Sequence, residues 1–397
     1  MTRIRMKKGR FISAGSAHKV FSTGTVVDKS WSQATLDACP AFLERCDDFV
    51  NQKKSDNPLT ITKEGRIFVP FNGVRVVPGS FTVTLSDFIS TSMSQTISHP
   101  SGLESTIPSV GTVATAVLAR SNPSRPAISV PNFLYELKDL PEMIRDIGNL
   151  KRQIQNSTRK GWQRINVKNA ASHSLSYNMG WSPLIGDLRK LLDFQALVDK
   201  KMRELQNLYD GDGLQRRVRS TQWRGTLTTS SPGQLAESVI DSSIVHRIER
   251  FSQIERWGTV RWYPASLPDK RFSSKEMARL ARDLTFGMNG ISAKQLWDAI
   301  PWTWLIGWFS NVDEFLQAHF NTIPLVHSTP CIMTHAITKT SWIRTDNLQQ
   351  VYQGGTGDAA YETKTRVING GTLSASIPFL NARQLSILGA LIIQRKR

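Results

Sequence analysis

The sequence predicts an α+β fold: a helical bundle half and an antiparallel β-sheet half, with the chain passing between them several times. Three observations predict it. Segments with period-two alternation and segments with apolar residues at three- and four-residue steps follow one another as β, α, β, α, β, α. The strand-like segments are long and polar on one side, which suits an antiparallel sheet with a wet face. The helical segments carry packing stripes that only a partner helix can cover. The sheet is therefore expected from 1–130, 215–269 and 324–377, and the bundle from 131–214, 270–323 and 378–397. No fixed-period repeat occurs.

Residues 1–130 are rich in Ser, Thr, Val, Pro and Gly. Arg3, Arg5, Lys7, Lys8 and Arg10 precede the first acidic residue, Asp28, and read as a basic arm or, equally well, a solvated tail. Ile67–Val69 and Val74–Val77 are strand-like and punctuated by Pro70, Gly73 and Pro78. Phe81–Leu85 alternates cleanly, and Ser90–Ser109 is polar and weakly patterned, as loops are.

From Phe133 to Leu150 the apolar residues keep a helical period despite Pro141. Between Asp146 and Asp187 there is then no acidic residue, while Lys151, Arg152, Arg159, Lys160, Arg164 and Lys168 lie within, interleaved with Trp162 and with amides such as Gln155 and Asn156. Cations neutralise phosphates, and amides with a stacking aromatic suit unpaired bases. A solvated helix face would mix signs, and this stretch does not. Ser182 and Pro183 are a cap and a first residue for the next helix. Its stripe runs through Leu184, Leu188, Leu191, Val198, Met202 and Leu205, and Asp210–Gly213 ends it as a plain turn.

Residues 215–264 return to the strand pattern. Arg216, Arg217, Arg219 and Arg224 cluster near Trp223, and Ile244–Phe251 and Trp257–Tyr263 read as two half-exposed strands. Ser274–Phe286 is a helix with Met277, Leu280, Ala281 and Leu284 on one side. The stretch Trp297–Phe309 follows, with four of the chain's eleven tryptophans. Pro301 lacks an N–H and is tolerated only at a helix start, so two helices are expected to meet here at a corner. The second, from Pro301 to about Phe320, carries Trp304, Leu305, Trp308, Val312, Phe315 and Leu316 at helical spacing. Trp297, Pro301, Trp304 and Trp308, with Trp181 and Pro183 earlier, are the expected structural hub, each large side chain contributing roughly 1.5–3 kcal/mol on burial. After Pro324 the strands return as Cys331–Trp342, Gln350–Tyr352 and Glu362–Ile368, and a last helix ends on Arg395, Lys396 and Arg397. No acidic residue follows Thr363, so these three add RNA-contact charge or simply complement the helix dipole.

Composition narrows the function. Fifty Lys and Arg against 32 Asp and Glu leave a net charge of +18, which favours a polyanionic partner. Three cysteines without a pairing pattern argue against a disulfide scaffold, and no zinc-ligand spacing occurs. Apolar runs fall short of the ~20 residues that span a bilayer, and the basic start lacks a signal-peptide core. Nucleotide-binding loops and the signatures of zinc proteases and serine hydrolases are missing. His327, Cys331 and His335 on one strand would stand about 13 Å apart, too far to share an ion. No enzyme, cofactor or metal is expected.

Three stretches carry a resemblance. Trp297-Asp298-Ala299-Ile300-Pro301-Trp302-Thr303-Trp304-Leu305-Ile306-Gly307-Trp308 resembles a tryptophan–proline signature of the maturation proteins (A proteins) of single-stranded RNA bacteriophages; Gly307 departs from it, since an acidic residue is expected there. Met179-Gly180-Trp181-Ser182-Pro183-Leu184-Ile185-Gly186-Asp187-Leu188 is similar to a second motif of that family, and Leu385–Arg397 to its amphipathic, arginine-ended last helix. The resemblance implies an elongated virion protein that binds structured genomic single-stranded RNA, is built into the coat-protein shell as one copy, and attaches the particle to a bacterial pilus. It implies synthesis in the bacterial cytoplasm, residence in the virion and no stable homo-oligomer. The motif-bearing helical half would face RNA and capsid, and the sheet half would face the host. The expected RNA-binding residues are Lys151, Arg152, Arg159, Lys160, Trp162, Arg164, Lys168, Arg216, Arg217, Arg395, Lys396 and Arg397. Two other readings compete: a cellular RNA-binding or RNA-processing protein, and a basic amphipathic lytic or membrane-surface protein.

Overall fold

A computed structural model describes residues 2–11, 13–50, 57–90, 93, 97–126, 194–210, 213–229, 233–234, 241, 243–265, 273–285, 310–319, 321, 323–371 and 387. It corrects the expected fold class. Among the described residues 51% lie in strands and 24% are helical, in two antiparallel sheets and five helices, so the protein is predominantly β rather than half bundle and half sheet. The sequence pattern under-read the strands, because residues that break alternation find partners across the sheet.

In chain order the elements are β1 (Thr2–Arg10), β2 (Ser16–Phe21), β3 (Val26–Lys29), α1 (Gln33–Ala38), β4 (Pro40–Phe49), β5 (Leu59–Val69), β6 (Phe71–Val77), β7 (Phe81–Phe88) and, after a 3-10 turn at Glu104–Thr106, α2 (Val110–Ser121). There follow α3 (Phe194–Asp210), β8 (Leu214–Thr229), β9 (Gly233–Gln234), β10 (Val245–Pro264), α4 (Ser274–Thr285), α5 (Val312–His319), β11 (Leu325–His327), β12 (Cys331–Arg344), β13 (Tyr352–Gln353) and β14 (Thr356–Ile368). A nine-stranded sheet has the order β1-β4-β5-β14-β12-β10-β11, with β8 and β9 also pairing with β10. A five-stranded sheet has the order β13-β6-β7-β2-β3. The chain forms two compact units, Met1–Ala114 with Val218–Thr259 and Thr329–Gly370, and Thr115–Arg217 with Val260–Ser328 and Gly371–Arg397.

In the first unit β10 shows why pattern alone fell short. Two strands were expected with a break between Phe251 and Trp257; the structure has one strand through both, in register with β12 from His246↔Arg344 to Thr259↔Cys331. The residues that interrupt the pattern are satisfied by their register partners on β12 and, for Arg256, by the segment that covers the sheet. Ser252 meets the Thr338 hydroxyl at 3.0 Å, and the buried Arg256 guanidinium donates to Thr334 Oγ1 at 2.8 Å, to the Pro108 carbonyl and to Glu104. The segment that carries Glu104 and Pro108 lays Leu103 and Ile107 onto Ile254 and Ala336. His99, in the same covering segment, meets the hydroxyls of Thr338 and Thr363, each at 2.8 Å. That segment was expected to be loop, and it is the lid of this core.

The basic start is also corrected. It is neither arm nor tail: Thr2–Arg10 is a strand, paired with β4 from Thr2↔Phe49 to Gly9↔Phe42. Beside the main-chain ladder, Asp48 accepts Arg3 Nε at 2.9 Å and Nη2 at 2.6 Å, and Arg5 at 3.1 Å.

A buried polar cluster lies where β12 ends at Arg344. Arg344 forms a two-pronged pair with Asp346 (2.6 and 3.0 Å) and donates to the carbonyls of Tyr352 (2.6 Å) and Gly354 (3.0 Å). Asp241 takes two bonds from Arg75 and one from the Tyr352 hydroxyl at 3.0 Å. Burial pushes the Asp346 carboxyl up, but Arg344 and the N–H groups of Leu348 and Val245 outweigh it and hold it below its ordinary value. Asp241 is likewise lowered, by the Ser243 N–H, Arg75 and Tyr352 against the effect of burial. Burial holds the His246 imidazole below its ordinary value, with its Nε2 donating to the Gly355 carbonyl. Burial lowers His99 too.

These shifts set the pH response of the unit. A histidine lowered in the fold takes its proton more readily when unfolded, so stability is full above the unfolded value of about 6.5 and falls below it. A lowered carboxylate contributes above an unfolded value of about 3.9 and is lost as pH drops through its folded value. The urea midpoint should therefore decline on acidification in two stages, first below about pH 6.5 and again below about pH 4. A His99→Gln/His246→Gln variant should lack the first stage; a midpoint that stays level from pH 7 to 5 in the parent would refute the assignment.

In the second unit α3 packs on α4. Of the expected stripes, Leu205 of α3 and Met277, Ala281 and Leu284 of α4 are buried and Val198, Met202 and Leu280 half-buried; Leu208, outside the stripe, is buried as well. Ser273 and Glu276 cap α4 reciprocally, Glu276 Oε2 accepting from the Ser273 N–H at 2.8 Å and Ser273 Oγ from the Glu276 N–H at 3.3 Å. Gly213, at φ 85°, makes the turn from α3 into β8, where a Cβ would lie 2.5 Å from the Trp262 carbonyl oxygen. Asn122 ties the segment after α2 to α5 and beyond, through the Gln317 carbonyl (2.8 Å) and Asn321 (2.7 Å). The helix expected from Pro301 to about Phe320 is described only as α5, Val312–His319.

Candidate nucleic-acid interface

Most of the predicted interface lies outside the described residues: Lys151, Arg152, Arg159, Lys160, Trp162, Arg164, Lys168, Arg395, Lys396 and Arg397. The same holds for the expected hub, Trp297, Pro301, Trp304, Trp308, Trp181 and Pro183. Arg216 and Arg217 are described, on β8, and the structure separates them.

β8 contains Arg216, Arg217, Arg219 and Arg224 and no acidic residue. Over Gln215–Arg219 exposed and half-buried positions alternate, as a strand's two faces do. Arg216 points to the half-buried side, where its Nη2 lies 2.7 Å from Glu204 Oε1 on α3. Glu204 also stands 3.5 Å from Lys201 Nζ, and Lys201, itself buried, donates to the carbonyls of Pro123 and Arg125 at 3.0 Å. Burial lowers the Lys201 ammonium's pKa, and Glu204 opposes it. Arg216 is thus part of an internal ion-pair group. Arg217 is on the exposed side together with Gln215, whose Oε1 accepts from Arg261 at 2.9 Å. Farther along β8, Arg219 and Arg224 are exposed as well. Trp223 is half-buried against the cluster of Leu103, Ile107, Ile254 and Ala336.

The wide face of the nine-stranded sheet has a different character. Across it, residues opposite one another in register form a rung of alternating charge: Lys7 by Glu44, Glu44 by Lys63, and Lys63 by Glu362. Lys63 donates to Glu44 at 3.1 Å. Lys364 stands 2.7 Å from Glu362, and His335 lies 2.8 Å from Glu362 and 3.3 Å from Glu255. Burial raises the Glu362 carboxyl, but Lys364 and His335 bring it below its ordinary value. Such a face balances its own charge and has little left for phosphates. Among the described strands the largest excess lies on β1 and β8. On β1, Arg3 and Arg5 share the single carboxylate of Asp48, which the Arg3 hydrogen bond holds below its ordinary value against its burial.

His327 and His335 were read as one strand's residues; they lie on separate strands, β11 and β12. Among the described residues no group of three His, Cys, Asp or Glu could hold a metal, and no helix is long and apolar enough to cross a membrane. What the sequence reading missed is the clamp role of Asp48 and Glu204. Asp48 follows Asp47 and Glu204 stands among Lys200, Lys201 and Arg203, and only pairing across elements reveals which cations they engage. Compared with known proteins, the chain matches no family model and no curated sequence.

Proposed function

We propose that this chain is a minor virion protein of the RNA-phage maturation type: it binds genomic single-stranded RNA, is built into the coat shell and attaches the particle to a bacterial pilus. The observation that carries the reading is the order and spacing of the three motif stretches, 179–188, 297–308 and 385–397. The net charge of +18 supports the RNA part independently. Arg217, Arg219 and Arg224, each exposed on an acid-free strand, add described positive charge to it.

RNA binding rests mainly on the acid-free stretch between Asp146 and Asp187. Lys151, Arg152, Arg159 and Lys160 neutralise phosphates there, and their binding displaces condensed counterions. Replacing all four by Ala should flatten the salt dependence of RNA affinity, by about 0.7 in log–log slope for each lost phosphate contact to a single strand. An unchanged slope in a filter-binding titration removes this stretch from the interface. The wider reading is tested by producing the chain with its phage coat protein and genome. The chain should then purify with ribonuclease-protected RNA inside particles at about one copy each. Recovery only with cellular RNA would favour a cellular RNA-binding protein, and recovery only with membranes a lytic one.

A further inference from the structure

We infer that the outer edge of β1 is a docking site for an extended protein segment that alternates acidic and apolar residues and adds to the nine-stranded sheet as a further strand. The inference does not depend on RNA binding. β1 stands at one end of the strand order, and β4 is its only strand neighbour among the described residues. Eight of its nine residues are exposed, Gly9 alone being half-buried. An edge strand leaves alternate N–H and C=O groups pointing outward, a ready template for another strand. Folds blunt such edges with proline, short length or bulges. Here Thr2–Arg10 contains no proline, and its pairing with β4 is irregular only at Gly9/Arg10.

The two faces of the strand specify what can dock. Arg3, Arg5 and Lys7 point to one face, opposite Asp48, Cys46 and Glu44. Asp48 serves two guanidiniums, and Glu44 already accepts from Lys63, so the row keeps surplus positive charge. The other face carries Ile4 and Met6, 57% and 59% exposed, and beyond them Lys8 and Arg10, which engage the Asp37 carbonyl and carboxylate. A second copy of β1 would set like charges against each other and is disfavoured. A strand with acids at one parity and aliphatic residues at the other meets both faces, its main chain supplying affinity and its alternate side chains specificity.

The test uses the full chain and a labelled synthetic peptide alternating glutamate and valine, followed by anisotropy and by amide exchange. The peptide should bind and slow exchange in residues 2–10. A peptide alternating lysine and valine should bind at least about tenfold more weakly, the factor that three cross-strand charge pairs supply. The glutamate–valine peptide N-methylated at alternate residues keeps its charge, loses its donors and should not bind. Lys7→Glu should weaken the parent peptide and strengthen the lysine–valine one. Should that variant fold poorly, the peptide comparisons decide alone. Equal binding by the N-methylated peptide or by one with glutamates and valines in separate blocks would overturn strand addition in favour of plain charge attraction. Protection of residues 2–10 by short poly(U) RNA and not by the peptide would overturn the protein partner.

Discussion

Asp346→Ala is expected to destabilise the first unit by about 3–5 kcal/mol. The side chains of Arg344 and Asp346 are 3% and 2% exposed. Removing the carboxylate leaves a guanidinium out of water with only the carbonyls of Tyr352 and Gly354 as acceptors. It also strips the Leu348 N–H of its acceptor at 2.9 Å, so the turn that leads into β13 loosens at the same time. Urea unfolding followed by exchange of β12 and β14 amides measures the loss. An Arg344→Met/Asp346→Leu double variant should recover much of it, because an apolar pair removes the uncompensated charge. A cost below about 1 kcal/mol for Asp346→Ala would mean that water reaches this pair.

Trp262→Ala should cost a similar amount, about 3–5 kcal/mol, in the second unit. Trp262 is fully buried, its ring 5.0 Å from that of His327 and its indole N–H donating to Ser121 Oγ at 2.9 Å. Truncation opens a cavity and leaves that hydroxyl without its donor. Trp262→Phe retains most of the apolar area and loses the hydrogen bond, so it should cost only about 1–3 kcal/mol. The ordering of the two variants in chemical denaturation is the check. Equal losses would place the energy in the hydrogen bond rather than in the packing.

The sequence by itself determined the strong excess of positive charge, the locations of β6, β7 and β12, and the last parts of β5 and β14. Those features are local: side chains that alternate every second residue stay visible whatever they pair with. It also determined α4, whose apolar residues at 277, 281 and 284 share one helical face. Only the tertiary structure decided the rest. Val110–Ser121 is rich in β-branched residues that weakly disfavour a helix, yet it is α2, buried over most of its surface, where packing outweighs propensity. β10 is one strand because Ser252 and Arg256 are satisfied by residues more than 70 positions away. Among the basic residues sequence counts charges, but distance assigns them: Glu204 draws Arg216 inward while Arg217 stays exposed, and Asp48 on β4 pairs with Arg3 and Arg5 of the basic start. Pairing of this kind acts between elements far apart in the chain, and no window along the sequence contains both partners.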